Sequence, residues 1–369
     1  MVFPEQSENQ LPSFSQAVRM IEELVDDMPI RHRMPYDEEV DEDNVFLLNR
    51  TASGLFNLKP NITTQPCLYH GENSFKDVLR PKWTLFQRED IIRENILREE
   101  FELVMESHPL YRLFLHGIPT KKKPIRIINP FGNALAYGFP TPMLPLTSSL
   151  NVALFFATHR RNDESGLWIP IPERDEHGNI NVGVIYVMVL AFPFPMMLGL
   201  SCVGMQAFRR PGEQKLFALN MGAGEDFNNN NLVVGIKFRQ NPSEIHELER
   251  IFNNGELLTP NELIADKANE ILTTHCVSEM AFERNCRNNP RDNHRENRKM
   301  LEEAGVRISS DICHLFTEEE LMEQYYPTAR EDYEEMFSHV VAVHPGFDTL
   351  LNDIRNFPNT VEGHKFFRL

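Results

Sequence analysis

The sequence predicts an α+β fold, on three observations. Helical periodicity dominates both ends of the chain. Short β-branched and aromatic runs bounded by turn residues dominate its middle. The 369 residues also include 41% hydrophobic side chains and 26 Phe, enough to bury a large core without disulfide or metal staples. The five Cys, at positions 67, 202, 276, 286 and 313, are odd in number and irregularly spaced. That is the pattern of free thiols in a reducing compartment, hence of a cytoplasmic protein. Residues 1–9 show neither a basic nor an apolar signal region, so no secretory leader is expected. A formal net charge of −17 argues against non-specific binding to a nucleic-acid backbone, although a local basic patch remains compatible with it.

The elements follow in order. Phe14, Val18, Ile21, Leu24, Val25 and Met28 repeat at helical spacing, and Ser13 with Gln16 forms a capping-box pattern that starts the helix. The acidic run at 36–43 reads as a solvated loop. Residues 1–66 are therefore expected to be a helical and acidic extension packed on the main domain, because they hold too few apolar residues for a core of their own. The core spans 67–240. Residues 89–107 read as a helix, and 149–160 as a short buried helix capped by Ser148 or Ser149. Strands are expected at 167–171, 182–190, 215–219 and 232–238, with the asparagine run at 228–231 as a polar turn. The stretch 180–208 carries no charged side chain and is long enough to cross a bilayer. Pro193 and Pro195 would disrupt a spanning helix, so it reads as a buried strand followed by an irregular apolar loop, with no membrane contact. Residues 241–369 are expected to be a helical, acidic part of the same module. Between positions 243 and 338 stand 22 Asp or Glu against 10 Lys or Arg. Residues 285–298, almost free of apolar side chains, read as a loop. His275, Cys276, Cys286, His294, Cys313 and His314 are metal-ligating types without a C-x₂₋₄-C pair, so no metal site is expected. The three lysines at 121–123 read as a solvated loop.

Four stretches stand in a telling order. The first is LYHG at 68–71, followed by Leu79, Arg80 and Pro81. The second is AYGFPT at 136–141, running through Leu144, Leu146 and Thr147 to NVALFFA at 151–157. The third is Arg209 and Arg210 ahead of QKLF at 214–217. The fourth is LEEAGV at 301–306 leading to LFTEEEL at 315–321. In order and spacing these resemble the FRG domain family, from about residue 67 to residue 326. The departures are specific. His70 stands at the family's arginine, Pro142 and Pro145 at its arginine and aspartate, and Ala136 where a His precedes the Tyr.

The resemblance implies antiparallel sheets forming a cleft, similar to the three-part layout of ADP-ribosyltransferases, with helical additions at both ends. It implies NAD as substrate, ADP-ribosyl transfer or NAD glycohydrolysis as the reaction, and a bacterial toxin or phage-defence setting. The acceptor, protein or nucleic acid, and the oligomeric state stay open. His70 and Gly71 match the layout's His-Gly element. There a glycine lets the backbone approach the nicotinamide carboxamide and a His bonds a ribose hydroxyl. Tyr69 stands beside them. Thr147 and Ser148 match the hydroxyl position, and Arg80, Arg209 and Arg210 are phosphate candidates. Glu213 or Gln214 would stabilise the oxocarbenium character that develops as the nicotinamide–ribose bond breaks. On a strand only one of these neighbours faces the cleft, and the choice stays open. The alternative is a non-catalytic module that recognises a nucleotide or a protein, in keeping with the replaced polar residues.

Overall fold

A computed structural model describes residues 11–27, 46–50, 56–60, 66–118, 130–162, 165–190, 199–204, 207–222, 224–290, 293–338, 340–342 and 351–367. The chain is α+β. Its centre is a six-stranded antiparallel sheet made of β3 (Cys67–Glu72), β4 (Met143–Thr147), β7 (Val182–Val189), β8 (Leu200–Cys202), β9 (Leu216–Asn220) and β10 (Val233–Arg239), in the order β10-β7-β3-β4-β9-β8. Smaller sheets accompany it. β1 (Phe46–Arg50) lies between β2 (Phe56–Pro60) and β13 (Val340–Ala342); β5 (His159–Arg161) pairs with β6 (Trp168–Pro170); and β11 (Cys276–Ser278) pairs with β12 (Arg307–Ser309).

The apolar run that forms β7 is explained by burial on both faces. Side chains alternate along a strand, and both sets are covered here. Val184, Tyr186 and Met188 enter one cluster with Leu68, Leu110 and Phe114, while Ile185 and Val187 enter another with Ile21, Ala153 and Phe238. The second cluster is closed by α1 (Phe14–Asp26) and α5 (Leu150–Thr158). The expected capping box is formed at Ser13 and Gln16, and Ser149 caps α5, its hydroxyl accepting from the Val152 N–H. Phe14 meets Phe238 edge-on at 5.7 Å, so the N-terminal helix is seated on β10. A third cluster lies between helices. α2 (Arg88–Ser107) gives it Ile96, Phe101 and Val104, α8 (Leu263–Thr274) gives Ile264 and Ile271, and α9 (Glu279–Asn288) gives Phe282.

Two expectations are corrected. Residues 285–298 are not one loop. They hold the end of α9 and most of the first turns of α10 (His294–Glu303), capped by the Asn293 side chain. Those helices need few apolar residues because Arg284 pairs with Glu106 of α2 at 2.7 Å and the buried Asn285 and Asn297 face inward. The strand expected from Lys215 begins at Leu216, and the residues before it form a short helix, α6 (Arg209–Glu213). In the LFTEEEL stretch Phe316 and Leu321 pack inward while Leu315 is exposed. Strands β1, β2 and β13 carry no clear signal in the sequence. The acidic run 36–43, the lysines at 121–123, Pro193 and Pro195 lie outside the described residues. No helix among the described residues is long and apolar enough to cross a membrane.

Candidate functional site

The main sheet is split between β3 and β4. β4 pairs with β9 along all five of its residues, yet with β3 at a single position, Tyr69 opposite Thr147. The register explains why. The Leu190 N–H donates to the Pro66 carbonyl at 2.9 Å, so Leu68, His70 and Glu72 turn their backbone groups toward β7, while Tyr69 and Gly71 turn theirs toward β4. Continued by one step, the β3–β4 ladder would set Gly71 opposite Pro145. Proline has no N–H to give, and the carbonyl of Pro145 is taken by the side chain of His70, whose Nδ1 donates to it at 2.7 Å. The ladder stops at Tyr69, and the N–H and C=O of Gly71 face the gap.

His70 is only 7% exposed. Its Nε2 contacts Oε1 of Glu72 at 2.9 Å, and Lys76 Nζ reaches the other carboxylate oxygen at 2.6 Å. Both ring nitrogens of His70 thus face oxygen atoms. Burial raises the Glu72 carboxyl, but the hydrogen bonds and charges of His70 and Lys76 outweigh it and hold the group at about 2. Glu72 is therefore a fixed negative charge at neutral pH. Gly71 faces the other side of β3, where a Cβ would stand 1.9 Å from the carbonyl oxygen of Ala153. The missing side chain serves the seating of α5, and the backbone of Gly71 stays at the gap.

Around this split opens a cleft of about 580 Å³. Tyr69, His70, Gly71 and Glu72 line it from β3, and Pro145, Leu146 and Thr147 from β4. The Thr147 hydroxyl donates to the Gln214 carbonyl at 2.8 Å and accepts from the Ser149 N–H at 3.1 Å, so it ties the end of β4 to the opposite wall. The Gln214 amide is aimed by Nε2, which donates to the Leu258 carbonyl at 2.9 Å. Arg210 lies over the ring of Tyr137 at 4.8 Å. The Tyr137 hydroxyl and the backbone N–H groups of Arg209 and Arg210 all donate to the Glu262 carboxylate, which fixes α6 against the start of α8. Burial lowers the Arg210 guanidinium and raises the Glu262 carboxyl, each partly offset by the other's charge.

The remaining wall is the β5–β6 hairpin, which brings His159, Arg160, Arg161 and Trp168 to the cleft. His159 stacks on Phe155 at 4.0 Å with the rings 9° apart. Its Nδ1 contacts the Phe155 carbonyl at 3.1 Å, which assigns the proton to Nδ1 and leaves Nε2 an acceptor; that Nε2 is buried without a hydrogen-bond partner. Burial lowers the pKa of this imidazole and keeps it neutral.

Of the residues singled out in the sequence, Tyr69, His70, Gly71, Thr147, Arg210 and Gln214 meet in this one cleft. Ser148, Arg80, Arg209 and Glu213 do not line it. Glu213 sits on α6 with its side chain 42% exposed and paired to Arg209 at 3.7 Å. The alternation argument for Glu213 and Gln214 fails because neither is in a strand, and Gln214 is the cleft residue. Glu72 carries no motif of its own, although its spacing of two from His70 puts both on one face of β3. His159, Arg160, Arg161 and Trp168 carry none either. No protein-family model matches the chain, and no curated protein or solved structure matches it. Among the described residues no group of three or more His, Cys, Asp or Glu is placed to hold a metal ion.

Proposed function

We propose that the cleft binds NAD and that the protein breaks the nicotinamide–ribose bond, as an ADP-ribosyltransferase or NAD glycohydrolase of FRG-like layout. The observation that carries this reading is the open backbone edge of Gly71 beside Pro145. An N–H and a C=O side by side on one residue match the C=O and NH₂ of a carboxamide, the polar group of nicotinamide. Tyr69 and Leu146 supply apolar surface next to that edge. The motif order described above supports the same assignment. Glu72 takes the role expected of Glu213 or Gln214. It is ionised, stands in the cleft, and is held by His70 and Lys76, so it offers fixed negative charge to a ribose that becomes positive as nicotinamide departs. Gln214, oriented through Leu258, positions the sugar.

A second reading, nucleotide recognition without turnover, is favoured by one observation: the Thr147 hydroxyl already has its partners within the protein. Calorimetric titration with NAD tests the binding that both readings share. Micromolar binding is expected. Gln214→Ala should weaken it about tenfold, the loss of roughly one hydrogen bond, whereas the exposed Glu213→Ala should match the wild type. Failure of NAD to bind, or equal effects of the two substitutions, overturns the assignment of the cleft.

A further inference from the structure

The chain carries a net charge of −17, yet Arg160, Arg161 and Arg210 line the cleft. Burial lowers the Arg210 guanidinium, and the charge of Arg161 adds a smaller effect in the same direction. The Nε of Arg210 is buried without a hydrogen-bond partner, and Arg161 spends its Nε on the Gly166 carbonyl at 3.1 Å. Guanidinium matches phosphate oxygens in pairs. Beside them the unpartnered Nε2 of His159 is a neutral acceptor, which suits a hydroxyl and not a phosphate oxygen.

We propose that Arg161, Arg210 and His159 form a ribosyl-phosphate subsite, the two arginines holding phosphate and His159 accepting from a sugar hydroxyl. The assignment rests on the nucleotide reading for the identity of the molecule that carries this group, and it places the phosphates at the β5–β6 hairpin, away from Arg80 and Arg209. Arg160, exposed on the same hairpin, adds to the local field.

The test is calorimetric titration of the full chain with ribose 5-phosphate and, separately, inorganic pyrophosphate. Ribose 5-phosphate is expected to bind in the high micromolar to millimolar range, more weakly at higher salt. Arg161→Ala should weaken both ligands about tenfold, and Arg161→Lys should recover part of the loss. His159→Phe, which keeps the stack on Phe155, should weaken ribose 5-phosphate and leave pyrophosphate unchanged, because pyrophosphate has no sugar hydroxyl. No binding of either ligand, or binding unaffected by Arg161→Ala, overturns the subsite; equal loss of both ligands in His159→Phe overturns the role of His159. Thermal melts confirm that each variant is folded. Ribose 5-phosphate that binds as described while nicotinamide is never released leaves the subsite standing and defeats the catalytic reading. Nicotinamide release with an unchanged KM in Arg161→Ala does the reverse.

An independent observation lies 37 residues apart in sequence: Cys276 and Cys313 place their sulfur atoms 2.8 Å from each other. One buried carboxylate holds both segments, Glu100 accepting from the Ser278 N–H at 2.7 Å and from the Cys313 N–H at 2.6 Å. Arg307 donates to the Cys276 sulfur at 3.2 Å. We infer that this pair is a thiol–disulfide site that takes a low-molecular-weight disulfide. Burial, with Cys276 and Glu100 beside it, pushes the Cys313 thiol up to about 12, so the exchange is favoured at alkaline pH: Cys313, the more exposed partner, gives up its proton as its sulfur attacks one sulfur of glutathione disulfide and expels one glutathione thiolate. The Cys276 thiolate then attacks the Cys313 sulfur and expels the second, so two protein thiols are oxidised and one glutathione disulfide is reduced to two glutathiones. The bond would tie β11, which directly follows α8, to the segment after β12; Asn269 and Leu272 of α8 line the cleft.

Treatment of the full chain with glutathione disulfide, then alkylation and peptide mass spectrometry, is expected to find Cys276 linked to Cys313 while Cys67, Cys202 and Cys286 stay alkylatable. The wild type should melt several degrees higher when oxidised, and Cys276→Ser should stop at a Cys313–glutathione mixed disulfide. Both thiols alkylated after treatment, or a mixed disulfide as the end product in the wild type, overturns the site.

Discussion

Replacement of His70 by Ala is the perturbation whose consequences the structure fixes most fully. Two hydrogen bonds disappear, the one to the Pro145 carbonyl at 2.7 Å and the one to Glu72 at 2.9 Å. A bond to a neutral carbonyl contributes about 1 kcal/mol and one to a charged group about 2 kcal/mol, so urea unfolding at pH 7 should show a loss of about 3 kcal/mol. The sign of the pH dependence follows from Glu72. Its carboxyl is held at about 2 in the folded protein, below its ordinary 4.5, so its contribution is complete above 4.5 and is lost as pH falls from there toward 2. That window corresponds to about 3 kcal/mol at 1.36 kcal/mol per unit, largely the same pair energy measured a second way. The gap between wild type and His70→Ala should therefore narrow steadily below pH 4.5. A gap below about 0.5 kcal/mol at pH 7, or one that stays constant down to pH 3, would refute the reasoning that His70 locks the split through Glu72.

Other outcomes follow from single features. Glu102 is raised to about 7 by burial and by the charge of Glu99, so its cost grows as pH rises from 4.5 to 7. Glu102→Gln should gain up to about 3 kcal/mol at pH 8 and almost nothing at pH 4, read by thermal melts at both values. Gly71→Ala drives a methyl group to within 1.9 Å of a backbone oxygen, and denaturant unfolding should show a loss of about 3 kcal/mol or more. Pro145→Ala supplies the N–H that the β3–β4 ladder lacks. It should raise stability by about 1 kcal/mol and weaken NAD binding, because the Gly71 carbonyl is then occupied.

Much of the scaffold is legible from local rules. The capping box at Ser13 and Gln16, the Ser149 cap on α5 and the doubly buried run of β7 each depend on residues close in sequence. The C-terminal helices are less legible. Residues 285–298 lack apolar periodicity, and their helicity is secured by partners nearly two hundred positions away, such as Glu106 for Arg284 and Glu99 for Asn288. In the site, motif spacing found Tyr69, His70, Gly71, Thr147, Arg210 and Gln214. It missed Glu72 because the value of that carboxylate comes from His70 and Lys76 folding around it. The split itself is invisible until register sets Pro145 opposite Gly71, although the absent N–H of Pro145 is written in the sequence. The strand expected to carry Glu213 and Gln214 fails locally, since the three residues before the Lys215 turn, φ 45°, belong to a helix and its cap.

The measurement that tests the central claim most directly is nicotinamide release, followed chromatographically with NAD in excess, for wild type and Glu72→Gln. Because Glu72 is assigned to the developing charge on the ribose, the wild type should release nicotinamide and Glu72→Gln should bind NAD nearly as well while turning it over roughly a hundredfold to a thousandfold more slowly. Wild-type protein that binds NAD yet releases no nicotinamide with protein or nucleic-acid acceptors supplied, or a Glu72→Gln variant as fast as the wild type, would contradict it.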